Sequence, residues 1–363
     1  MEIGSIFEID VDNMFRAEEK DFALPCIRNK DYLSRRFFNT GRSAIEYLLR
    51  YVISFESNST VLLPAFVCTS VIDAFKRVVI KYTFYSIKEN LEIDIDDLKR
   101  KMTPNVRAIF VIQFFGMYQT DYTYEFLKEM QNNGIIIIED ISHSLYTYHP
   151  KYIGFGDYVI GSLRKWLPIP DGAVLYAKSI MDNVDIQSGC NDYSMYYFAA
   201  QVMKSNYLMK KTHDKKLYLT LVEKANRALF SDYTLREITQ ISLRYINTYD
   251  DKDIIRKRVA NYKYLDEKIN NIPFVKKLIE YKNMYVPIGF PLLCENRDEI
   301  VDYLIKNNIY CNVHWKLSDE CKIADRVSRK LSDQIFTIPC DQRYGVKEMD
   351  YIVDIISSFK KWS

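Results

Sequence analysis

What is scarce in this chain narrows it before any motif does. Charge of one sign is missing: 50 basic residues stand against 48 acidic ones, a formal net charge of +2 in 363 residues. No broad cationic field is available to hold nucleic acid or an anionic membrane non-specifically. Long apolar runs are missing too. The best candidates, GIIIIED and AIFVIQFFG, are strand-sized and far short of the roughly 18 residues a membrane-spanning helix needs. The opening segment, MEIGSIFEIDVDN, is acidic and lacks a basic stretch followed by an apolar one, so no secretory leader is expected. Cys is limited to seven residues, at 26, 68, 190, 294, 311, 321 and 340. An odd number scattered over a long chain argues against a disulfide framework and for reduced thiols. Internal repeats and low-complexity tracts are lacking. The expectation is a soluble, cytoplasmic, globular protein with no nucleic-acid or membrane partner.

What is present is ordinary globular composition, 48% apolar and 27% charged. The length allows two or three domains and burial of about three quarters of the unfolded surface. Aromatic residues reach 14%, 29 of them Tyr, enough to fill core and interface or to line a pocket for a planar ligand.

From about residue 40 the pattern alternates helix and strand. Ala44, Ile45, Leu48, Leu49, Val52 and Ile53 give helical spacing over 42–54, just after Gly41. TVLLP at 60–64 predicts a buried strand, Val67 to Arg77 a helix, Val78 to Tyr85 and Arg107 to Gln113 strands. Asp121 is expected to cap a helix running to about Asn133. Four Ile at 135–138 form a continuous apolar strand ending in Glu139-Asp140, and Tyr158–Ser162 and Ala173–Tyr176 are two more. Continuous apolar strands separated by helices mean an α/β fold, a mostly parallel sheet covered by helices on both faces. In such sheets ligands sit outside the carboxyl ends of the strands. Residues 192–280 are mostly helical and polar, with a long helix near 251–271. A strand (Met284–Leu293), a helix (Asn296–Asn308), a strand (Ile309–Val313) and a last helix (Lys347–Trp362) follow. The expected division is a large domain over 1–250, including the N-terminal segment, and a small α+β domain over 251–363.

Three elements carry chemistry. Lys165 follows a strand and precedes a Pro-rich stretch in GSLRKWLPIPDGA, so it can point into a cleft as a nucleophilic amine, or simply be a solvated surface Lys. Asp140 follows the Ile run at a strand end, where a carboxylate can pair with a cation or cap the next segment. His143 lies three residues on, either a ligand contact or a structural histidine. Thr40-Gly41-Arg42-Ser43 opens the first helix with free N–H groups, a Gly for close approach and a hydroxyl, which suits an anion but also simply starts a helix. Together they are the groups that pyridoxal 5'-phosphate asks of a protein: a lysine for its aldehyde, a carboxylate for its ring nitrogen and a phosphate cradle.

At these residues the sequence resembles the DegT/StrS family of sugar aminotransferases, pyridoxal-phosphate enzymes of fold type I, over nearly the whole chain. The shared features are the turn Thr40-Gly41-Arg42-Ser43-Ala44, the strand and aromatic turn LLPAFVCTS, Phe115-Gly116, and Glu139-Asp140-Ile141-Ser142-His143. Gly156-Asp157 before the lysine strand, Gly189-Cys190-Asn191, and Ala199-Ala200 complete the set. The resemblance implies that Lys165 holds the cofactor covalently, that Asp140 pairs with its pyridinium nitrogen and that His143 lies near its phenolic oxygen. It implies that Gly41, Arg42 and Ser43 hold the phosphate and that Phe66, Val67 and Cys68 cover one ring face. Asn191 would reach a neighbour's cofactor across a homodimer with shared active sites, and His314-Trp315 would lie near the substrate. The implied reaction moves an amino group from an amino acid, with glutamate the expected donor, to a keto sugar linked to a nucleotide.

The chain departs from the family pattern in places. The Ser usually five residues before the lysine is Ile160, the nearest being Ser162. Arg two residues after Asn is Tyr193, the usual Gly-Gly is Gly172-Ala173, and a position that often holds an aromatic ring is Cys68. A divergent subgroup is implied. A family relative that removes a hydroxyl carries His in place of the lysine, which Lys165 argues against. A different pyridoxal-phosphate reaction on an amino acid, lyase or transferase, and a non-catalytic protein of this fold stay open as alternatives. No metal is expected: Cys311-x-x-His314 with Cys321 offers three ligands where structural zinc wants four, and the strand pattern around Cys311 explains it by burial. The run Lys210–Lys216, with His213, is expected to be a solvated face.

Overall fold

The computed structural model describes residues 2–11, 22–27, 30–179, 184–212 and 214–359. Its main sheet is built from β2 (Ser34–Phe38), β3 (Thr60–Pro64), β4 (Lys81–Tyr85), β5 (Val106–Ile112), β6 (Ile136–Asp140), β7 (Tyr158–Ser162) and β8 (Ala173–Ala177). The strand order is β2-β8-β7-β6-β5-β3-β4. All neighbours from β7 through β4 run parallel, while β8 is antiparallel to both β7 and β2. The expected α/β class with a mostly parallel sheet is borne out. β3, β5 and β6 are mostly apolar because both faces are covered: Leu62, Ile109 and Ile138 are fully buried.

The helices between these strands are α1 (Gly41–Tyr47), α2 (Thr69–Val78), α3 (Ile95–Lys101) and α4 (Asp121–Asn132). The helix expected over 42–54 is α1 continued by a wider π-helical turn, Leu48–Val52. The cap of α4 is Thr120, not Asp121: the Thr120 side chain accepts the Thr123 N–H. Asp121 sits one position inside, where its charge suits the helix N-terminus, and pairs with Lys151 at 2.6 Å. The edge strand β2 went unpredicted because Arg35 and Arg36 break its apolar run.

The helical stretch after the sheet comprises α5 (Asp192–Leu208), α6 (Lys215–Ser231), α7 (Gln240–Ile246) and α8 (Asp251–Ile269). The C-terminal unit holds an antiparallel sheet ordered β12-β10-β9, from Ile335–Ile338, Phe290–Leu293 and Lys276–Lys277. Around it lie α9 (Arg297–Lys306), α10 (Asp319–Ala324), α11 (Arg326–Gln334) and α12 (Val346–Ser358). The strand expected from Met284 shrinks to Phe290–Leu293. The segment before it runs instead along the carboxyl edge of the main sheet, where Val286 N–H donates to Thr147 Oγ1 at 3.0 Å. The strand expected over 309–313 is β11 (Ile309–Tyr310), and it pairs in parallel with β1 (Ile3–Gly4). The N-terminal strand therefore sits with the C-terminal unit rather than with the main sheet. Only Gly fits at position 4: φ is +89° and an added Cβ would stand 2.2 Å from the Tyr310 carbonyl oxygen. His213 and the expected end of the last helix at 360–362 lie outside the described residues. No described helix is long and apolar enough to cross a membrane.

Gly116 joins the two units. Its φ is +93° and a Cβ there would lie 2.3 Å from the Val286 carbonyl oxygen. Gly116→Ala should cost about 2–4 kcal/mol, read as a lower urea midpoint. Gly41→Ala, where a Cβ meets nothing within 4 Å, should leave that midpoint near wild type.

Candidate active site

The carboxyl ends of β3, β5, β6 and β7 open on one side of the sheet, and Asp140, Ser162 and Lys165 stand at or just past two of them. Asp140 ends β6, in register with Ile112 and Ile160 on its neighbours. Side chains alternate along a strand, so adjacent Glu139 faces the other way. Glu139 accepts the N–H groups of Gly154, Phe155 and Gly156 at 3.1, 2.9 and 3.0 Å and the Gln113 amide at 2.9 Å, a structural clamp. Asp140 is buried at 8% exposure and accepts the Ser142 N–H at 2.8 Å. Burial raises its carboxyl above the usual range, against the pull of Lys165 and Ser142.

Lys165 closes a 3-10 turn, Leu163–Lys165, that follows β7 directly. Burial lowers the proton affinity of its amine; Asp140 and Cys68 oppose the shift, and Arg164 adds to it. Trp166 pins the turn: fully buried, its indole N–H donates to Ser142 O at 2.9 Å, and its carbonyl accepts the Gln342 amide at 2.7 Å.

His143 is buried, and neither ring nitrogen has a hydrogen-bond partner among the described residues. Its ring lies 5.0 Å from Trp315, nearly stacked at 29°, and 4.9 Å from His314. Phe66 packs 5.2 Å from Trp315 and Phe115 5.0 Å from His143. His314 shares a hydrogen bond with Thr337 Oγ1 at 2.9 Å, so the C-terminal unit delivers both His314 and Trp315 to the sheet end. Burial pushes His143 well below its ordinary value and His314 down to about 3, with the Lys165 charge contributing to both.

The remaining predicted residues are placed as follows. Thr40 caps α1, accepting the Ser43 N–H at 3.1 Å, and Ser43 Oγ donates to Asn39 Oδ1 at 2.7 Å. Space is open beside Gly41. The Arg42 side chain is spent elsewhere, donating to Leu229 O near the end of α6 at 2.6 Å. Ser162 is buried, its N–H on Ser142 Oγ at 3.1 Å. Cys68, half-buried, has its thiol 2.9 Å from Ser70 Oγ. Asn191 caps α5: its Oδ1 accepts the Ser194 N–H at 3.0 Å and its amide donates to Asp232 at 2.8 Å, both within its own chain. No described cluster of three or more His, Cys, Asp or Glu side chains is arranged for a metal.

A cavity of about 380 Å³ opens at Lys165, lined also by Arg164, Tyr197, His314, Thr337 and Arg343. A larger surface groove of about 790 Å³, near Phe274 and Lys330, contains none of the predicted residues. Sequence reasoning passed over Arg164, Trp166, Tyr197, Thr337 and Arg343. Arg164 and Trp166 flank the lysine and could have been noticed, whereas the others reach the cavity only through tertiary packing.

Residues 36–162 match the model of the DegT/DnrJ/EryC1/StrS aminotransferase family. That is the family the sequence resembles, and the matched residues run from β2 to the end of β7. Among solved structures, a proposed sugar aminotransferase of Streptococcus pneumoniae, Spr1654, was determined in PLP, PMP and apo forms. Its PLP form is similar at TM-score 0.69 and 15% identity, over 99% of this chain and 98% of that one. PseC of Helicobacter pylori, an aminotransferase involved in the biosynthesis of pseudoaminic acid, is similar at TM-score 0.67 and 14% identity, over 98% of each chain. DesV of S. venezuelae, solved with a ketimine intermediate, is similar at TM-score 0.63 and 16% identity, over 89% of this chain and 84% of that one. At these identities the likeness is one of fold. No curated protein matches the sequence significantly.

The two buried imidazoles set a pH dependence. Unfolding returns each to about 6.5, above its folded value, so below about pH 6.5 the unfolded state binds more protons. Stability is full above that pH and falls progressively as pH drops towards 3. His143→Phe removes one such group and no hydrogen bond. Its urea-derived stability should therefore fall less steeply between pH 6.5 and 5, by about 1.4 kcal/mol per pH unit. An unchanged slope would mean that the folded protein charges His143.

Proposed function

We propose, with residues 36–162 in the DegT/DnrJ/EryC1/StrS aminotransferase family as premise, that this chain transfers an amino group from glutamate to a keto sugar carried on a nucleotide. The observation that carries the reading is a buried carboxylate, Asp140, near enough to Lys165 for each to feel the other's charge, beside a histidine whose two nitrogens have no partner among the described residues. These residues fit pyridoxal 5'-phosphate. Lys165 would hold its aldehyde, Asp140 its ring nitrogen, His143 its phenolic oxygen, and Gly41, Ser43 and Ser162 its phosphate, with Phe66 and Cys68 beside the ring. When bound, the cofactor supplies an electron sink for the pair released as the amino acid loses its α proton.

The chain's own groups supply the rest. Lys165 Nζ, with its proton affinity lowered by burial, takes that proton and returns it one position over. Asp140 keeps a proton on the ring nitrogen, and its burial concentrates the charge there. His314 and Trp315 close the sheet end against water and face the acceptor. Arg42 is not assigned to the phosphate, because its guanidinium is engaged at Leu229. The reading includes a cytoplasmic twofold dimer. Exposed Met195, Leu208, Leu217, Leu219 and Phe230 on α5 and α6 support a partner surface there.

Borohydride reduction of the purified protein should fix the cofactor to Lys165, read by peptide mapping; a label on another lysine refutes the assignment. Asp140→Asn should lower the amine-transfer rate by at least about a hundredfold while weakening cofactor binding far less. Mixing Lys165→Ala and Asn191→Ala subunits should restore activity that neither homodimer has. Because Asn191 also caps α5, the melting temperature of its variant is measured alongside. Full activity of the Asn191→Ala homodimer would remove the shared-site element.

A further inference from the structure

Three arginines line the cavity at Lys165, and two of them are already committed. Arg258 donates to Gln342 Oε1 at 2.7 Å and to the carbonyls of Pro287 and Ile288 at 3.1 and 3.0 Å, with its guanidinium 4.4 Å from the Trp166 ring. Arg343 is gripped by both carboxylate oxygens of Asp341 at 2.8 Å each, and also donates to Ile6 O at 3.0 Å.

Arg164 is different. Its half-buried side chain bonds the Tyr197 hydroxyl and lies 6.0 Å from the Tyr193 ring. Burial holds both phenols protonated, so neither offsets its charge. The carboxylate it senses is Asp171, whose oxygens are spent on Thr239 Oγ1 at 2.6 Å, Thr239 N–H at 3.0 Å and the Ser242 hydroxyl. Arg164 forms an ion pair with no carboxylate among the described residues. A guanidinium carries five donors and stays charged. With only a phenol hydroxyl bonded, the remaining donors of the fork are open to a group entering the cavity that Arg164 lines.

We propose that Arg164 is the anion anchor of this cavity, binding a carboxylate or phosphate oxyanion of the molecule that enters beside Lys165. The inference rests on the aminotransferase reading and names how that site would hold its reactants. Both proposed reactants bring such a group, the amino donor its carboxylates and the nucleotide-linked acceptor its phosphates. The planar fork suits either, bidentate. Arg164 and Lys165 are consecutive in one rigid turn, so an anion seated on the first places the rest of its molecule within reach of the second. It would also cancel the repulsion by which Arg164 lowers the Lys165 proton affinity.

The test is calorimetric titration of the full-length, pyridoxal-phosphate-loaded protein with glutarate and, separately, with inorganic pyrophosphate. Arg164→Gln should weaken at least one probe by roughly tenfold to a hundredfold, the loss of a charge-assisted bidentate contact. Arg164→Lys should fall between the two. Loss confined to glutarate assigns the anchor to the amino donor, and loss confined to pyrophosphate assigns it to the acceptor. Equal affinities in wild type and folded Arg164→Gln overturn the proposal, as does a wild type that binds neither probe. Circular dichroism checks folding, and Arg164→Met serves if the Gln variant does not fold. The borohydride label at Lys165 is read on the same preparation. Label present with unchanged probe binding sinks the anchor alone. Label absent with Arg164-dependent probe binding sinks the aminotransferase reading and leaves an anion site.

Discussion

Everything at the sheet end depends on one expensive pair. A carboxylate and an amine buried together each lose several kcal/mol of hydration, and their mutual attraction repays this only where other bonds complete them. Here Asp140 has the Ser142 N–H, and the Lys165 turn is held by Trp166, whose indole bonds the carbonyl of that same Ser142. One short segment, residues 140–142, thus fixes both partners. Burial pushes the two groups towards neutrality from opposite sides, the carboxyl up and the amine down. Two groups so placed cost stability, the arrangement expected where a site is built for proton transfer rather than for folding.

The second constraint is water. A low local dielectric at Asp140 and Lys165 requires apolar cover, and the main sheet supplies only part of it through Phe66, Phe114 and Phe115. The C-terminal unit supplies the remainder. Thr337 on β12 orients His314, and Trp315 fills the space between Phe66 and His143. The N-terminal strand, paired with β11, adds Gly4 to Phe7 to the cavity wall. Cover drawn from three distant parts of the chain explains why the cavity lies at the junction of the units rather than within either.

Which of this was legible in the sequence follows from what sets each feature. β3, β6 and β7 were readable because strands buried on both faces must be apolar throughout, and Pro64 and Asp140 punctuate their ends. Lys165 and Asp140 could be singled out as charges at strand ends, but position left a solvated lysine and a capping carboxylate equally open, and their roles came from the ordered set of motifs around them. The cap of α4 was misplaced by one residue because Thr120 and Asp121 both have capping side chains and only backbone geometry chooses between them. β2 was hidden by its arginines, one of which folds over Tyr47. Glu139 could not be separated in role from Asp140 by composition; strand alternation assigns one to a loop clamp and the other to the cleft. The cavity's C-terminal wall was illegible for a different reason. Thr337 and Arg343 reach the cavity beside Lys165 from more than a hundred and seventy residues further along the chain, a juxtaposition no local pattern encodes.

The departure around Ile160 finds a physical account in the turn. Ile160 lies inside β7, paired with Asp140 on one side and Leu175 on the other, fully within the sheet. Its side chain is buried in the core of the main sheet. Strand β7 runs on to Ser162, and the 3-10 turn begins at once, leaving no loop between strand and lysine. Arg164 therefore follows the last strand residue by two positions and enters the wall of the cavity beside Lys165. Both side chains are carried by one turn, so the contacts that hold the lysine, the buried Trp166 above all, hold the guanidinium as well.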